Sequence, residues 1–390
     1  MPALIELQPE TLARASLVAC AESLAPRLAD TAQQHDAAGQ YPMENIGLHK
    51  QADYFIAPIP QRFGGRGVES LYDLLVASSR LARGDASTTI GLNMHLLIVS
   101  NMVRRWRIAS HRGLERRAAA YAQSLRQIVD EGTIIAAAVS EPNQHLTQPV
   151  TRATRNGTGW LLNGRKIFCT MSPAATVLLT STSYVNQHDE LLYTYAEVPV
   201  TTPGVTIHDD WDSLGMRTSG SNSVSFKDVH LPESALRGGF PAGTSTGYME
   251  RNVANGLFHA RRTDRAPGSA EQMLVAENAI GLSAMRATFG RAAHLVDALH
   301  CEHLTGDADS DELHSAFAEV QAAKAFVNET AARIVDRALT LSGGAAYMRA
   351  HPLARAYRDL RAGGFMQPLS SLRAYDYLSQ ALLGLDAPLA

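Results

Sequence analysis

The chain has 390 residues, 45% of them hydrophobic, enough to bury a large core and to form two or three domains. Its 35 basic and 38 acidic residues are well mixed and give a net charge of -3, which leaves no basic stripe for nucleic acid and no polybasic anchor for a membrane surface. Three widely spaced cysteines suggest neither a disulfide framework nor a metal cluster, and the N-terminal residues lack the pattern of a secretory signal, so a reducing cytoplasm is expected. No stretch reaches the roughly 18 apolar residues of a membrane span.

Taken in chain order, residues 11–126 carry apolar and small side chains at helical spacing, as in Leu71, Leu74, Leu75, Ser78 and Ala82, or Leu92, Leu96, Val99 and Val103. Prolines and glycines between Asp53 and Gly67 interrupt that pattern and predict a loop. The period changes at Thr133. Ile134–Val139 is a short apolar run, and Asn163-Gly164 lies between two strand-like runs, as in a two-residue hairpin turn. Residues 176–183 and 192–200 read as strands, and Ser223–Leu231 alternates with period two. Several strands without an intervening helix predict an antiparallel barrel or sandwich. The Gly-x-Gly-x-x-Gly fingerprint of a dinucleotide-binding turn is missing from the sequence.

Beyond Gly243 helical spacing returns at 247–262, 270–302, 310–341 and 369–385, with breaks at Ala266-Pro-Gly268, residues 305–309 and Gly343-Gly344. The expected organisation is α+β: a helical domain over 1–130, a central β domain over 131–240, and a four-helix-type bundle over 241–390.

Four stretches in this order carry a resemblance. They are Ala138-Val-Ser-Glu-Pro142; Leu162-Asn-Gly-Arg-Lys-Ile-Phe-Cys-Thr170; Trp211-Asp-Ser-Leu-Gly-Met-Arg-Thr-Ser219 with Val224–Pro232; and Leu341-Ser-Gly-Gly-Ala-Ala-Tyr347 leading to Pro352–Asp359. Together they resemble the acyl-CoA dehydrogenase family over nearly the whole chain. The resemblance implies an FAD enzyme, usually a homotetramer, that oxidises the Cα–Cβ bond of an acyl-CoA thioester and passes electrons to a protein acceptor. Such chemistry needs a base at the α-carbon, donors for the enolate oxygen and a held flavin ring.

In that family pattern Val139 and Ser140 meet the pyrimidine end of the flavin, Phe168 lies against the ring, and Thr170 is near its N5 edge. Taken singly, Phe168 reads equally as a core aromatic, and Ser140 and Thr170 as strand hydroxyls. Arg286, in Arg286-Ala-Thr-Phe-Gly290, matches an arginine that contacts the FAD pyrophosphate of a neighbouring subunit, although it falls within a continuous apolar helix and reads as well as a surface arginine. Gly343 and Gly344 match the family's adenine-side glycines.

Two departures bear on function. After Glu141-Pro142 the chain reads Asn143-Gln-His-Leu-Thr-Gln-Pro149 instead of the family's glycine-rich loop for the CoA portion. At the usual place of the catalytic glutamate stands Gln367, which cannot accept the proton but keeps a backbone N–H for the substrate carbonyl. A minority of the family carries the base on an earlier helix, and Met249-Glu-Arg-Asn-Val253 resembles that arrangement, making Glu250 the candidate base and Arg251 a substrate-binding candidate. Without the motif Glu250 is a solvated residue of a first helical turn. His95, His145, His259 and His351 have no spacing to an acid that suggests a ligand set or triad, and read as core or surface histidines.

Two functions follow. The first is FAD-dependent dehydrogenation of a CoA thioester with Glu250 as base, and the alternative is a flavin-dependent oxygenase on the same fold, using O2 on a CoA-bound or free aromatic substrate. A homo-oligomer, dimer or tetramer, is expected by resemblance.

Overall fold

The computed structural model describes residues 6–10, 12–142, 147–236, 239–244, 269–366 and 368–385. Five helices come first: α1 (Leu12–Ala38), α2 (Met43–Gln51), α3 (Leu71–Leu81), α4 (Ala86–His111) and α5 (Glu115–Glu131). Local chemistry sets several of their ends. Ser70 caps α3 by accepting from the Asp73 N–H, and the Asp85 carboxylate caps α4 by accepting from the Ser87 N–H. α5 ends on Gly132 in the left-handed conformation. The segment between α2 and α3 is a loop with one short 3-10 turn, Gln61–Phe63, as the prolines and glycines predict.

Eight strands follow: β1 (Ile135–Ala138), β2 (Arg152–Asn156), β3 (Gly159–Cys169), β4 (Val177–Val185), β5 (Leu191–Pro199), β6 (Val205–Ile207), β7 (Asn222–Pro232) and β8 (Phe240–Pro241). They form one sheet in the order β6-β7-β3-β2-β4-β5-β8, and β1 adds parallel to β4. The neighbours along this path are antiparallel except β2 and β4.

The hairpin predicted at Asn163-Gly164 is absent, because both residues lie inside β3. The turn is made instead by another Asn-Gly pair, Asn156-Gly157, with Gly157 at φ +58° and Asn156 paired with Gly159. Gly164 instead permits a close approach of two segments. A Cβ there would stand 2.3 Å from the Thr151 hydroxyl, so the chain could not pack as it does.

The described part of the C-terminal region holds α6 (Ser269–Glu302), α7 (Ser310–Ser342), α8 (Pro352–Leu360) and α9 (Ser371–Leu382). α6 and α7 run antiparallel, with Gly281 against Thr330 and Ile334 and Arg291 paired with Glu319. The largest buried cluster joins the two ends of the chain. It runs from Leu17, Leu24 and Leu28 on α1 through Leu74 and Leu75 on α3 and Leu92 and Leu96 on α4 to Val296 on α6 and Val320 on α7. A second cluster, including Trp160, Leu162, Val224 and Phe226, lines the sheet.

Candidate flavin site

The C-terminal end of β3 is the focus. Its pairing with β7 slips between Lys166 and Cys169, so an irregularity falls on the very residues that the motif singles out. Such a bulge re-aims a side chain, and Phe168 takes φ +55°, a left-handed conformation uncommon for an aromatic residue. The result is a phenylalanine 58% exposed, its edge packed on Trp211 at 5.9 Å between ring centroids. A core role for Phe168 is thereby excluded. A flat exposed aromatic face is what a planar heterocycle would stack on.

Thr170, two residues on, is buried. Its hydroxyl lies 3.0 Å from the Ser221 Oγ, which lies 2.7 Å from the Ser219 Oγ, forming a short chain of hydroxyls. Met171 follows at φ +66° and packs against Gly91 of α4, where a Cβ would come within 3.1 Å. The strand end is thus seated on the helical layer through a glycine.

Val139 and Ser140 leave β1 beside this strand end. The Ile167 N–H donates to the Ser140 carbonyl at 2.9 Å, and the Lys166 ammonium lies 3.4 Å from the Val139 carbonyl. Val139, Ser140, Phe168 and Thr170 are therefore brought to one place by β1 and β3. Glu141 sits next to them and is fully engaged: it accepts from Lys166 at 2.7 Å and from the N–H groups of Val150 and Thr151 at 2.6 and 2.7 Å. Burial alone would raise the Glu141 carboxyl, but the adjacent ammonium and these donors hold it below the ordinary carboxylate value. Burial lowers Lys166 to about 8 against the pull of Glu141.

The other candidates are placed elsewhere. Gly343 closes α7 at φ +66°, with its N–H donating to Leu339 and Thr340, so a local helix-capping need accounts for one glycine of the pair. Gly344 follows it on the exposed surface, with no atom within 4 Å of a Cβ built there. Arg286 lies inside α6, 3.3 Å from the Glu6 carboxylate. Glu6 also meets Arg83 at 2.7 Å and Arg80 at 2.9 Å, and the three arginines line a cavity of about 90 Å³ with Asn93, Ile90 and Phe289. Glu250, Arg251 and Gln367 lie outside the described residues, as do His145 and His259.

His95 is a core residue. The Ile135 N–H donates to its Nδ1 at 3.0 Å, leaving Nε2–H to donate to the Phe55 carbonyl at 3.0 Å, and burial lowers its pKa to about 4. His351 caps α8 by accepting from the Leu353 N–H.

Several participants were missed in the sequence: Trp211 as the partner of Phe168, and Ser219 and Ser221 as the hydroxyl partners of Thr170. Trp211 and Ser219 bound one of the four family-like stretches, but nothing in the local pattern assigns these contacts, since they approach β3 from a segment some 40 to 50 residues away. Lys166 lies inside the family-like stretch 162–170, but between Arg165 and Ile167 nothing in the sequence marks it as buried.

A helical layer, a mostly antiparallel sheet and C-terminal helices, with an exposed aromatic and buried hydroxyls at one strand end, are the architecture that the family resemblance implies. Residues 13–107, 136–229 and 242–367 match the N-terminal, middle and C-terminal domains of acyl-CoA dehydrogenase. The chain belongs to the acyl-CoA dehydrogenase family and is a flavin-dependent oxidoreductase. It is 33% identical to the L-evernosamine nitrososynthase of a Micromonospora species, over 97% of this chain and 92% of the relative. It is 34% identical to the amino sugar nitrososynthase RubN8 of Streptomyces rubradiris, over 93% and 88%. Among solved structures, KijD3 in complex with FMN and dTDP-3-amino-2,3,6-trideoxy-4-keto-3-methyl-D-glucose superposes with a TM-score of 0.86 at 32% identity, covering 97% of this chain and 95% of that one.

The residues at the strand end fit a flavin: an exposed ring at Phe168, buried hydroxyls at Thr170 and Ser221, and two adjacent peptide groups at 139–141. Among the described residues no helix is long and apolar enough to cross a membrane.

Proposed function

We propose that this chain is a flavin-dependent N-oxygenase that uses O2 to oxidise the amino group of a nucleotide-linked amino sugar. The observation that carries this reading is the extent of the likeness: about a third identity, over nearly the whole chain, to proteins named for making nitroso sugars. Gln367 in the place of the usual glutamate, and the replaced segment after Pro142, support it. The reading takes up the oxygenase alternative and moves its substrate from an aromatic compound to an amine. Dehydrogenation of a CoA thioester, with Glu250 as base and Arg251 and the Gln367 backbone holding the thioester, is the second reading.

A bound reduced flavin would supply the two electrons needed for one oxygen atom of O2 to be added to the substrate nitrogen and the other to leave as water. The rest falls to the protein. Phe168 would support one face of the ring, Thr170, backed by the Ser219–Ser221 hydroxyl chain, would hold its N5 edge, and Ser140 would meet its pyrimidine end. An amine attacks through its lone pair, so the reaction requires a neutral nitrogen and no proton removed from carbon. Glu141, the carboxylate beside this strand end, is committed to Lys166 and two N–H groups and does not serve as base in either reading.

A homo-oligomer is part of this reading, supported by large apolar side chains left exposed near the C-terminus, among them Phe365, Leu372 and Leu382. Light scattering on the purified protein checks it.

The central test uses protein loaded with FMN or FAD, reduced chemically without oxygen. On admission of O2 with a dTDP-linked amino sugar, mass spectrometry should find a substrate that has gained oxygen, while acyl-CoA thioesters are unchanged. If instead an acyl-CoA bleaches the oxidised flavin anaerobically, and Glu250→Gln abolishes the bleaching, the dehydrogenase reading stands and the oxygenase reading fails.

A further inference from the structure

Lys166 is completely buried, yet each of its three ammonium protons has an acceptor: Glu141 Oε1 at 2.7 Å, Ser181 Oγ at 2.9 Å and the Val139 carbonyl at 3.4 Å. Ser181, on β4, also donates to the Val139 carbonyl at 3.2 Å, so that oxygen is held from two sides. Glu141 in turn binds the N–H groups of Val150 and Thr151, which ties the chain after β1 to the start of β2.

A buried ion pair is a weak source of stability, because apolar residues of similar volume commonly do as well. Its geometry is therefore the informative property. A trans peptide is planar, with its C=O and N–H pointing in opposite directions. Holding the Val139 carbonyl against Lys166 and Ser181 consequently aims the Ser140 N–H away from them. The next peptide is held in the same manner, since the Ser140 carbonyl accepts from Ile167 N–H and the Glu141 N–H is aimed by it. The two successive peptide planes are thus each fixed through the carbonyl, the first by Lys166 and Ser181 and the second by the Ile167 N–H.

We propose that Lys166, acting with Glu141 and Ser181, is a positioning residue for the flavin: it fixes the peptide planes at 139–141 so that their N–H groups donate to the pyrimidine carbonyls of the ring. This rests on the reading of Val139 and Ser140 as the flavin edge. Lys166 touches no reacting atom. Its effect is on how tightly and in what hydrogen-bonding state the flavin is held.

The experiment is a fluorescence titration of flavin into apo-protein, with an infrared spectrum of the pyrimidine carbonyls of isotope-labelled flavin for each variant. Ser181→Ala removes one oxygen from the network and leaves the ion pair in place. Losing one charge-assisted hydrogen bond should raise the flavin Kd roughly tenfold and move the carbonyl stretch to higher frequency as the donor is misaimed. Ser181→Thr, which keeps the hydroxyl, should restore both. The paired variant Lys166→Met with Glu141→Gln removes the pin without leaving a lone buried charge, and should reproduce the Ser181→Ala spectrum with a larger rise in Kd. Melting curves establish that each variant is folded, and should Lys166→Met with Glu141→Gln fail to fold, the Ser181 arms decide alone.

Wild-type affinity and an unshifted carbonyl stretch in folded Ser181→Ala overturn the proposal, provided that Ser140→Ala and Thr170→Ala weaken flavin binding. If those two variants also bind flavin as the wild type does, the site reading itself is wrong and the proposal falls with it.

Discussion

Two buried acid–base pairs in this molecule are built differently. Lys166 and Glu141 lie within one sheet, 2.7 Å apart, with every ammonium proton accepted and the carboxylate bound by two further N–H groups. Arg355 and Asp359 lie one turn apart on α8, at the meeting of α8, the Met216 loop and the turn before α4, and their closest approach is 3.9 Å. There Asp359 accepts from the Met216 N–H at 2.8 Å, but its other oxygen, and Arg355 Nε and Nη1, have no hydrogen-bond partner among the described residues. Burial raises the Asp359 carboxyl to about 6, with Asp85 and Asp36 pushing the same way and the Met216 N–H and Arg355 against it. A network that forms within one sheet can be completed by register, whereas one assembled from three separate segments must accept the distances their packing leaves.

The junction is not idle. Met216, at φ +52°, also accepts from the Trp211 indole N–H at 3.0 Å, and Trp211 is the ring against which Phe168 packs. Both pairs therefore stand behind the candidate flavin site at the end of β3, one through the sheet and one through the C-terminal helices.

The sharpest way to break this comparison is to remove one partner of the satisfied pair. Lys166→Met alone leaves Glu141 buried without its cation and should cost about 3–5 kcal/mol in urea unfolding. Adding Glu141→Gln should recover much of that loss. If the single variant costs nothing, the pair carries no charge burden and the contrast with Arg355–Asp359 collapses.

At the junction, Gly215 is the tight point: a Cβ there would meet the Arg358 carbonyl oxygen at 2.3 Å. Gly215→Ala should destabilise by about 1–3 kcal/mol, seen as a lower melting temperature, because backbone must move. It should also change the Trp211 fluorescence, since the adjacent Met216 carries that indole's acceptor.

The smallest effect concerns pH. A carboxyl raised from 3.8 to about 6 on folding binds its proton more tightly in the folded chain. Its contribution to stability is therefore full below pH 3.8 and is lost as pH rises through about 6. Asp359→Asn cannot titrate but keeps an acceptor for the Met216 N–H. The melting temperature of the wild type relative to Asp359→Asn should fall as pH rises from about 4 to about 6. A difference that is flat across this range would mean that Asp359 is not held above its ordinary value.

Much of the architecture was legible because it rests on local periodicity. The two-residue alternation of Ser223–Leu231 became β7, and the helical spacing of Leu71–Ala82 and Leu92–Val103 became α3 and α4. The hairpin was misplaced because two Asn-Gly pairs seven residues apart compete between 152 and 169 and only one lies where β2 can return. Val139, Ser140, Phe168 and Thr170, singled out through the motif, are brought together by β1 and β3.

By itself the sequence determined the family, the flavin and the order of helices, strands and helices, since these depend on residue type and near-neighbour spacing. Tertiary structure alone decided that Phe168 faces outward, through a bulge against β7, and that Lys166 finds Val139 and Glu141 on the segment after β1 and Ser181 on β4. It also decided that Asp359 reaches Met216, a residue 143 positions away. Those outcomes depend on strand register and on the packing of distant segments, quantities that no local window of sequence contains.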